Sequence, residues 1–302
     1  MIRELFETDC EVFFVFNGTA ANSLSLASLA QPYHSILCHD YSHLERDECG
    51  APEFFSNGTK ILTIPGANGK IKPDDVEDMV KRRRDVHYPK PKVVSVTQST
   101  EMGTCYTVEE LEALGCRANA VGRGMHVDGA VLGNAVASLK IKPKEITWQA
   151  GVDVLCFGGT KNGSPVGEAV VFFNHDLANE FDYRCKQSGQ LASKMRYLSA
   201  PWVGMLKKSN WIKHASHANK MAALMHQLLS PIEGIRIMFQ PEANSVFVEM
   251  PRQLIDHMHD LGWQFYTFIG EGGCRLMCSW DTREEDVRIF VEDVERGLKN
   301  QH

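Results

Sequence analysis

Short apolar runs, each closed by glycine, proline or a polar cluster, alternate along the first half of the chain with longer segments of helical period. The runs Glu11–Phe16, Ser35–Cys38, Lys60–Ile64, Lys92–Thr97, Gly124–Asp128, Val152–Phe157 and Glu168–Phe173 read as strands, most of them apolar throughout rather than alternating. Such runs suit strands covered on both faces. Between them, Asn17–Leu29 and Pro73–Arg84 read as helices, the second with proline near its start and basic residues at its end. Thr107-Val-Glu-Glu110 opens another with a capping box. Ala51–Gly58 is rich in breakers and reads as a connection. Strand and helix in alternation predict an α/β domain with a mostly parallel sheet over residues 1–205. Beyond Glu168–Phe173 a helical segment begins at about Asp176, and the amphipathic stretch Trp211–Met225 reads as a long helix linking two domains. The remainder has strands near Ile235–Phe239, Ser245–Met250, Gln264–Phe268 and Arg275–Ser279. Helices fall near Gln253–Leu261 and over Arg283–Leu298, the latter preceded by Asp281 and Thr282 as capping candidates. Residues 206–302 are therefore expected to form a small α+β domain.

Composition narrows the function classes. The chain has 302 residues, 43% hydrophobic and 23% charged, with a formal net charge of −6. That suits a globular protein and leaves no basic footprint for nucleic acid. The run Lys81–Arg84 is most simply the solvated end of its helix. No apolar run approaches the ~20 residues of a membrane span, and Glu4, Glu7 and Asp9 interrupt any signal-like start. Nine cysteines without a Cys-x-x-Cys spacing read as reduced thiols in a cytoplasmic compartment.

The chemistry centres on two strand ends. Val152–Phe157 delivers Gly158-Gly-Thr-Lys161 at its carboxyl end, where open α/β sheets hold their ligands. A lysine there, beside residues that let backbone approach closely, suits Schiff-base formation. The neutral amine is the reactive form, and burial favours it. By itself this string is more often a surface turn. Asp128, at the end of another strand, precedes the lysine by 33 residues (128 to 161), room for one crossover and a return strand. A lysine that captures an aldehyde and an acid that protonates a ring nitrogen are the pair pyridoxal phosphate requires. The strand–Gly18-Thr19–helix passage would aim free N–H groups at an anion; an N-capped helix without a ligand is an equal alternative. Glu101 follows a buried strand and is a candidate active-site carboxylate, or equally an exposed loop residue. His39 and His43, four apart, could share a helix face, but a third ligand at suitable spacing is lacking, and no metal is expected. His214 and His217 read as packed or solvated.

His126-Val-Asp-Gly-Ala130, Asp153-Val-Leu-Cys-Phe-Gly-Gly-Thr-Lys-Asn-Gly163 and Arg275-Leu-Met-Cys-Ser-Trp-Asp-Thr282 resemble the low-specificity L-threonine aldolases, and the similarity runs over nearly the whole chain. The resemblance implies the pyridoxal-phosphate-dependent transferase fold of type I, the aspartate aminotransferase fold, within the β-eliminating lyase group. It implies a lyase that cleaves L-threonine, L-allo-threonine or related β-hydroxy-α-amino acids to glycine and an aldehyde through a Lys161 Schiff base. Gly18, Thr19 and Ala20 would cup the cofactor phosphate, Asp128 would face the ring nitrogen, and His43 would stack on the ring. Arg275 would bind the substrate carboxylate, Lys186 falls near a family active-site lysine, and the basic string Lys194–Arg196 would lie close to the cofactor. His43, Glu101 or a water would take the hydroxyl proton. A homo-oligomer, dimer or tetramer, with sites at the dimer interface is also implied.

Two departures stand out. The family pattern Asp-Gly-Ala-Arg is here Asp128-Gly-Ala-Val131, so one of two carboxylate-binding arginines is replaced. The chain also begins almost at its first strand, where the family has a longer segment carrying a substrate-proximal serine. This reads as a fragment, a truncated form or an altered paralogue. Three activities are thus expected in order: aldol cleavage; another lyase or transaminase reaction of the same cofactor; or cofactor binding with impaired catalysis.

Overall fold

The structure is a computed structural model that describes residues 1–299. Its large sheet has seven strands: β1 (Glu11–Val15), β2 (His34–His39), β3 (Lys60–Ile64), β4 (Lys90–Thr97), β5 (Gly124–Gly129), β6 (Val154–Phe157) and β7 (Glu168–Phe172). They lie in the order β1-β7-β6-β5-β4-β2-β3. The β2–β3, β2–β4, β4–β5 and β5–β6 pairs are parallel, while β7 is antiparallel to both β6 and β1. Six strands therefore share one direction and β7 alone runs against them. The carboxyl ends of β1, β2, β4, β5 and β6 all open on one edge, where side chains from distant parts of the sequence can meet.

Apolar runs become strands here because both faces are covered. On β6, Val154 and Cys156 belong to one core with the helix Gly18–Leu29, while Leu155 and Phe157 belong to the opposite core. The helix Gly18–Leu29 is built from Ala, Ser and Leu and is buried on nearly every side. It lies between the sheet and the helices Ala51–Phe55 and Phe181–Gln187, so it has no polar face to show water. Ala51–Phe55, expected as a connection, is helical because Pro52 sits in its first turn, where a missing N–H costs nothing. In the opposite core, Phe157 packs edge-on or tilted against Phe6, Trp202 and Trp211 at centroid distances of 5.7, 4.9 and 5.6 Å.

The expected boundary at residue 206 falls at the end of the helix Arg196–Leu206, just before the helix Asn210–Leu229. That second helix serves both cores. Trp211 packs in the large one, whereas Met221, Ala222, Met225 and Leu229 pack under a second sheet. The second sheet comprises β8 (Arg236–Ile237), β9 (Ser245–Glu249), β10 (Tyr266–Ile269) and β11 (Gly273–Met277), in the order β10-β11-β9-β8 and antiparallel throughout. The helices Arg252–Asp260 and Glu284–Lys299 cover it. The strand expected over Ile235–Phe239 shrinks to two residues on the sheet edge. The helix expected from Asp176 divides into a single turn, Phe181–Gln187 and Arg196–Leu206, with Gly189 (φ 75°) in the break.

Candidate active site

Asp128 is the last residue but one of β5, and its register partners are Thr97 on β4 and Cys156 on β6. It is buried, and each oxygen accepts an N–H: Oδ1 from Ala130 N at 3.0 Å and Oδ2 from Asn22 Nδ2 at 2.9 Å. Asn22 lies on the helix Gly18–Leu29 and also donates Nδ2 to Glu48 Oε1 at 2.8 Å. Glu48 Oε1 pairs with His43 Nδ1 at 2.9 Å. A continuous chain, His43–Glu48–Asn22–Asp128, thus runs under the carboxyl edge of the sheet. Asn22 and Glu48 escape a sequence reading. Asn22 stands inside an apparently apolar helix, and Glu48 is one acid in the Asp-Glu-Cys-Gly string.

Glu101 is buried, not an exposed loop residue. Its Oε1 accepts from His43 N at 2.7 Å and Thr97 Oγ1 at 2.8 Å. Burial, followed by the nearby Asp128 charge, pushes its pKa up to about 7. The Glu48 hydrogen bond raises the His43 imidazole above its ordinary value, against desolvation; Asp128 adds to the rise and Lys161 opposes it. Burial also raises Glu48, with the His43 and Asn22 hydrogen bonds acting against the rise. His39 and His43 share no helix: His39 ends β2 and bonds Gly66 O, while His43 opens a separate short turn. The donor atoms of His43, Glu48 and Asp128 do lie within 4.8 Å of one another, a spacing that could hold a cation. Those same atoms are already committed to one another and to Asn22.

Beneath Asp128, His126 is buried between Ser95 Oγ (2.8 Å from Nδ1) and Cys156 Sγ (3.3 Å from Nε2). Burial lowers it to about 4, so it is a neutral part of the floor.

Lys161 sits in a single helical turn, Thr160–Asn162, after β6. Three contacts place that turn. A Cβ at Gly158 would meet Ala130 O at 2.1 Å, so glycine alone lets this loop close on the Asp128-Gly-Ala turn. Glu168, opposite Val15 in register, accepts from Gly159 N and from Thr160 Oγ1 at 2.6 Å. From the helix Asn210–Leu229, Trp211 O accepts from Asn162 Nδ2 at 2.8 Å, and His214 Nδ1 lies 2.9 Å from Asn162 O. His214 is thus a support of the lysine turn, which its helix position did not reveal. The expectation that Lys161 is buried is corrected: in the single chain its side chain is exposed, because the turn projects beyond the sheet edge.

At the end of β1, Asn17 caps the helix by accepting from Ala20 N at 2.9 Å. The N–H groups of Gly18 and Thr19 precede any intrahelical acceptor. A Cβ at Gly18 would meet no protein atom within 4 Å, so packing does not demand glycine there and the approach is open. Arg275, on β11, comes from the small sheet with its guanidinium 5.3 Å over the Phe268 ring. It is half-buried; desolvation lowers its pKa, while Glu101 and Asp47 act the other way. Its Nε has no hydrogen-bond partner among the described residues. Val131 is half-buried at the N-cap of the helix Leu132–Leu139. Lys186 is not brought to this cluster within one chain. It is exposed on Phe181–Gln187, whose inward residues are Phe181 and Cys185, and lines a separate surface depression with Tyr183. Lys194 and Arg196 are also exposed.

The donor set fits pyridoxal phosphate. A buried carboxylate, a helix start with free N–H groups and a lysine turn meet at one sheet edge, and the buried Asn22 Oδ1 and Glu48 Oε2 beside Asp128 lack partners among the described residues. Comparison with known proteins agrees. Residues 1–253 match the β-eliminating lyase family. Over 292 residues the chain is 56% identical to a low specificity L-threonine aldolase of a Pseudomonas species, covering 97% of this chain and 84% of that one. The enzyme of the same name from Pseudomonas aeruginosa matches with the same identity and coverage. The threonine aldolase structure from Leishmania major superposes with a TM-score of 0.90 at 29% identity, covering 98% of this chain and 86% of that one. The chain therefore belongs to the β-eliminating lyase family, among the low-specificity L-threonine aldolases.

Proposed function

We propose that this protein is a pyridoxal-phosphate-dependent carbon–carbon lyase that cleaves L-threonine, L-allo-threonine and related β-hydroxy-α-amino acids to glycine and an aldehyde. The observation that carries this reading is the meeting of Asp128 and the Lys161 turn at the ends of paired parallel strands, with His43 against Asp128. When bound, pyridoxal phosphate supplies an aldehyde for the substrate amine and a ring that accepts the electron pair of the broken Cα–Cβ bond.

The chain's own groups supply the rest. The free N–H groups of Gly18 and Thr19 suit the phosphate, helped by the positive end of their helix, whereas the Ala20 N–H, expected to join them, is taken by the Asn17 side chain. Asp128 suits a protonated ring nitrogen, a charge-assisted contact of roughly 1.5–3 kcal/mol. The His43 imidazole, pinned at its backbone by Glu101 and at Nδ1 by Glu48, suits the ring face. Lys161 carries the amine that anchors the cofactor. Arg275 offers an unpaired buried donor to the substrate carboxylate. Glu101, with its pKa near neutrality, and His43 are the two groups able to accept the β-hydroxyl proton.

We also propose that the protein works as a homo-oligomer, a dimer or tetramer. Lys161 is exposed in the single chain, and Phe16 and Tyr197 present apolar rings that are 58% and 65% exposed. Lys186, exposed and remote from the cluster in one chain, would act across that contact. All nine cysteines are free, which supports a reducing, cytoplasm-like compartment.

Purified protein supplied with cofactor is expected to release acetaldehyde from L-threonine, and borohydride followed by peptide mapping should find the pyridoxyl group on Lys161. An unmodified Lys161 peptide from holoenzyme would sink the proposal. For Glu101, protons are held in the native state between its ordinary value of 4.5 and about 7 and released in the unfolded state. Stability should therefore fall as pH rises through that window. Aldol cleavage should rise over its upper end, as the carboxylate forms. Glu101→Gln should flatten both dependences, read by thermal melts and by pH–rate profiles. Val131→Arg is expected to lower KM for L-threonine at least about tenfold by giving the carboxylate a second guanidinium; an unchanged KM would mean that Arg275 suffices. Sedimentation equilibrium should report a mass of at least two chains.

A further inference from the structure

A second cavity, of about 910 Å³, lies at the opposite edge of the large sheet, where β2, β4 and β5 begin. Its walls are Tyr33, the segment from Arg83 to Pro91, and Ala120–Arg123. The helix Pro73–Arg82 stops two residues into the basic run, because Arg83 turns extended (φ −147°, ψ 137°). The remaining basic residues curl around the cavity instead of capping a solvated helix end. Lys81, Arg83, Arg84, Lys90 and Arg123 line it against a single carboxylate, Asp85. Asp85 is already taken by Arg83 at 2.9 and 2.8 Å, and Lys81 pairs with Glu77. Arg84, Lys90 and Arg123 have no ion-pair partner among the described residues. This concentration of positive charge occurs in a chain whose net charge is −6.

Two further features point to a ligand. Arg123 Nε is buried without a hydrogen-bond partner, so part of a guanidinium has been desolvated in the wall with nothing to match it. Aromatic surface is also available: the Tyr33 ring is 66% exposed, and Arg83 lies over the Tyr88 ring at 5.3 Å.

We propose that this cavity binds a small anion bearing at least two phosphate groups, at a site separate from the catalytic one. Each phosphate brings about 1.5–2 negative charges near neutral pH, so two balance three unpaired cations. The volume lies within the ~300–1,000 Å³ of small-molecule sites. Arg123 is five residues before Asp128 along β5, about 16 Å at roughly 3.3 Å per residue, so the anion does not overlap the substrate. Exposed tyrosine faces could add a nucleoside to the same phosphate chemistry.

The test is titration calorimetry on the holoenzyme with pyrophosphate, ADP and inorganic phosphate, at fixed ionic strength and without divalent metal. Pyrophosphate is expected to bind once per chain, and inorganic phosphate about tenfold more weakly or worse. In the double variant Arg84→Glu/Lys90→Glu, which changes only exposed side chains, pyrophosphate affinity should fall about a hundredfold. Threonine cleavage by this variant, expected to be retained, reports that it is folded. ADP binding more tightly than pyrophosphate, with the difference lost in Tyr88→Ala, identifies a nucleoside diphosphate; equal affinities identify a free diphosphate. The proposal is overturned if pyrophosphate does not saturate, if the double variant binds as the wild type does, or if sulfate competes equally. A short single-stranded RNA that binds more tightly than pyrophosphate would also overturn it, making the surface a nucleic-acid face.

Discussion

The site depends on one close backbone approach. Gly158 lies so near Ala130 O that any Cβ would overlap it, and its N–H bonds Gly129 O at 3.0 Å. That contact extends the β5–β6 pairing by one residue past the sheet edge and sets the separation between Asp128 and the lysine turn. The turn has little regular structure of its own, so its position is inherited from neighbours. Glu168 ties it to the end of β1, and the helix Asn210–Leu229 ties it from the other side through Trp211 and His214. The turn that carries Lys161 is thereby held by groups from β7 and from the helix Asn210–Leu229.

Around His43 the constraint is electrostatic. Asp128, Glu48 and Glu101 are all buried, and burying carboxylates is costly unless donors or protons compensate. Asn22 answers two of them with one amide, Thr97 and the His43 backbone answer the third, and burial holds Glu101 and Glu48 above the ordinary carboxylate range. Among them Asp128 is the carboxylate that suits a cationic ring nitrogen. At the opposite edge of the same sheet guanidinium and ammonium groups outnumber acids, which suits an anion.

Within the sequence, the periods of apolar residues determined the α/β class, all seven strands of the large sheet and the placement of Asp128 and Lys161 at strand ends. These are local properties: a run covered on both faces must be apolar throughout, and a glycine pair after it must close on something. Motif resemblance then supplied expected roles for Gly18, Thr19, Ala20, His43 and Arg275 that spacing alone could not, and the structure gives the Ala20 N–H to Asn17 instead. Only the tertiary structure decided the reversed direction of β7, which leaves its apolar sequence unchanged. It alone recruited Asn22, Glu48 and Glu168, since a buried polar residue looks like any other until its partner is known. It also decided that Glu101 is buried while Lys161 is not, because burial depends on which elements from elsewhere in the chain pass overhead. The basic run after Val80 looked like a helix end for the same reason: its meaning rests on Tyr33 and Arg123, some 50 and 40 residues away in sequence and adjacent only once the sheet has formed.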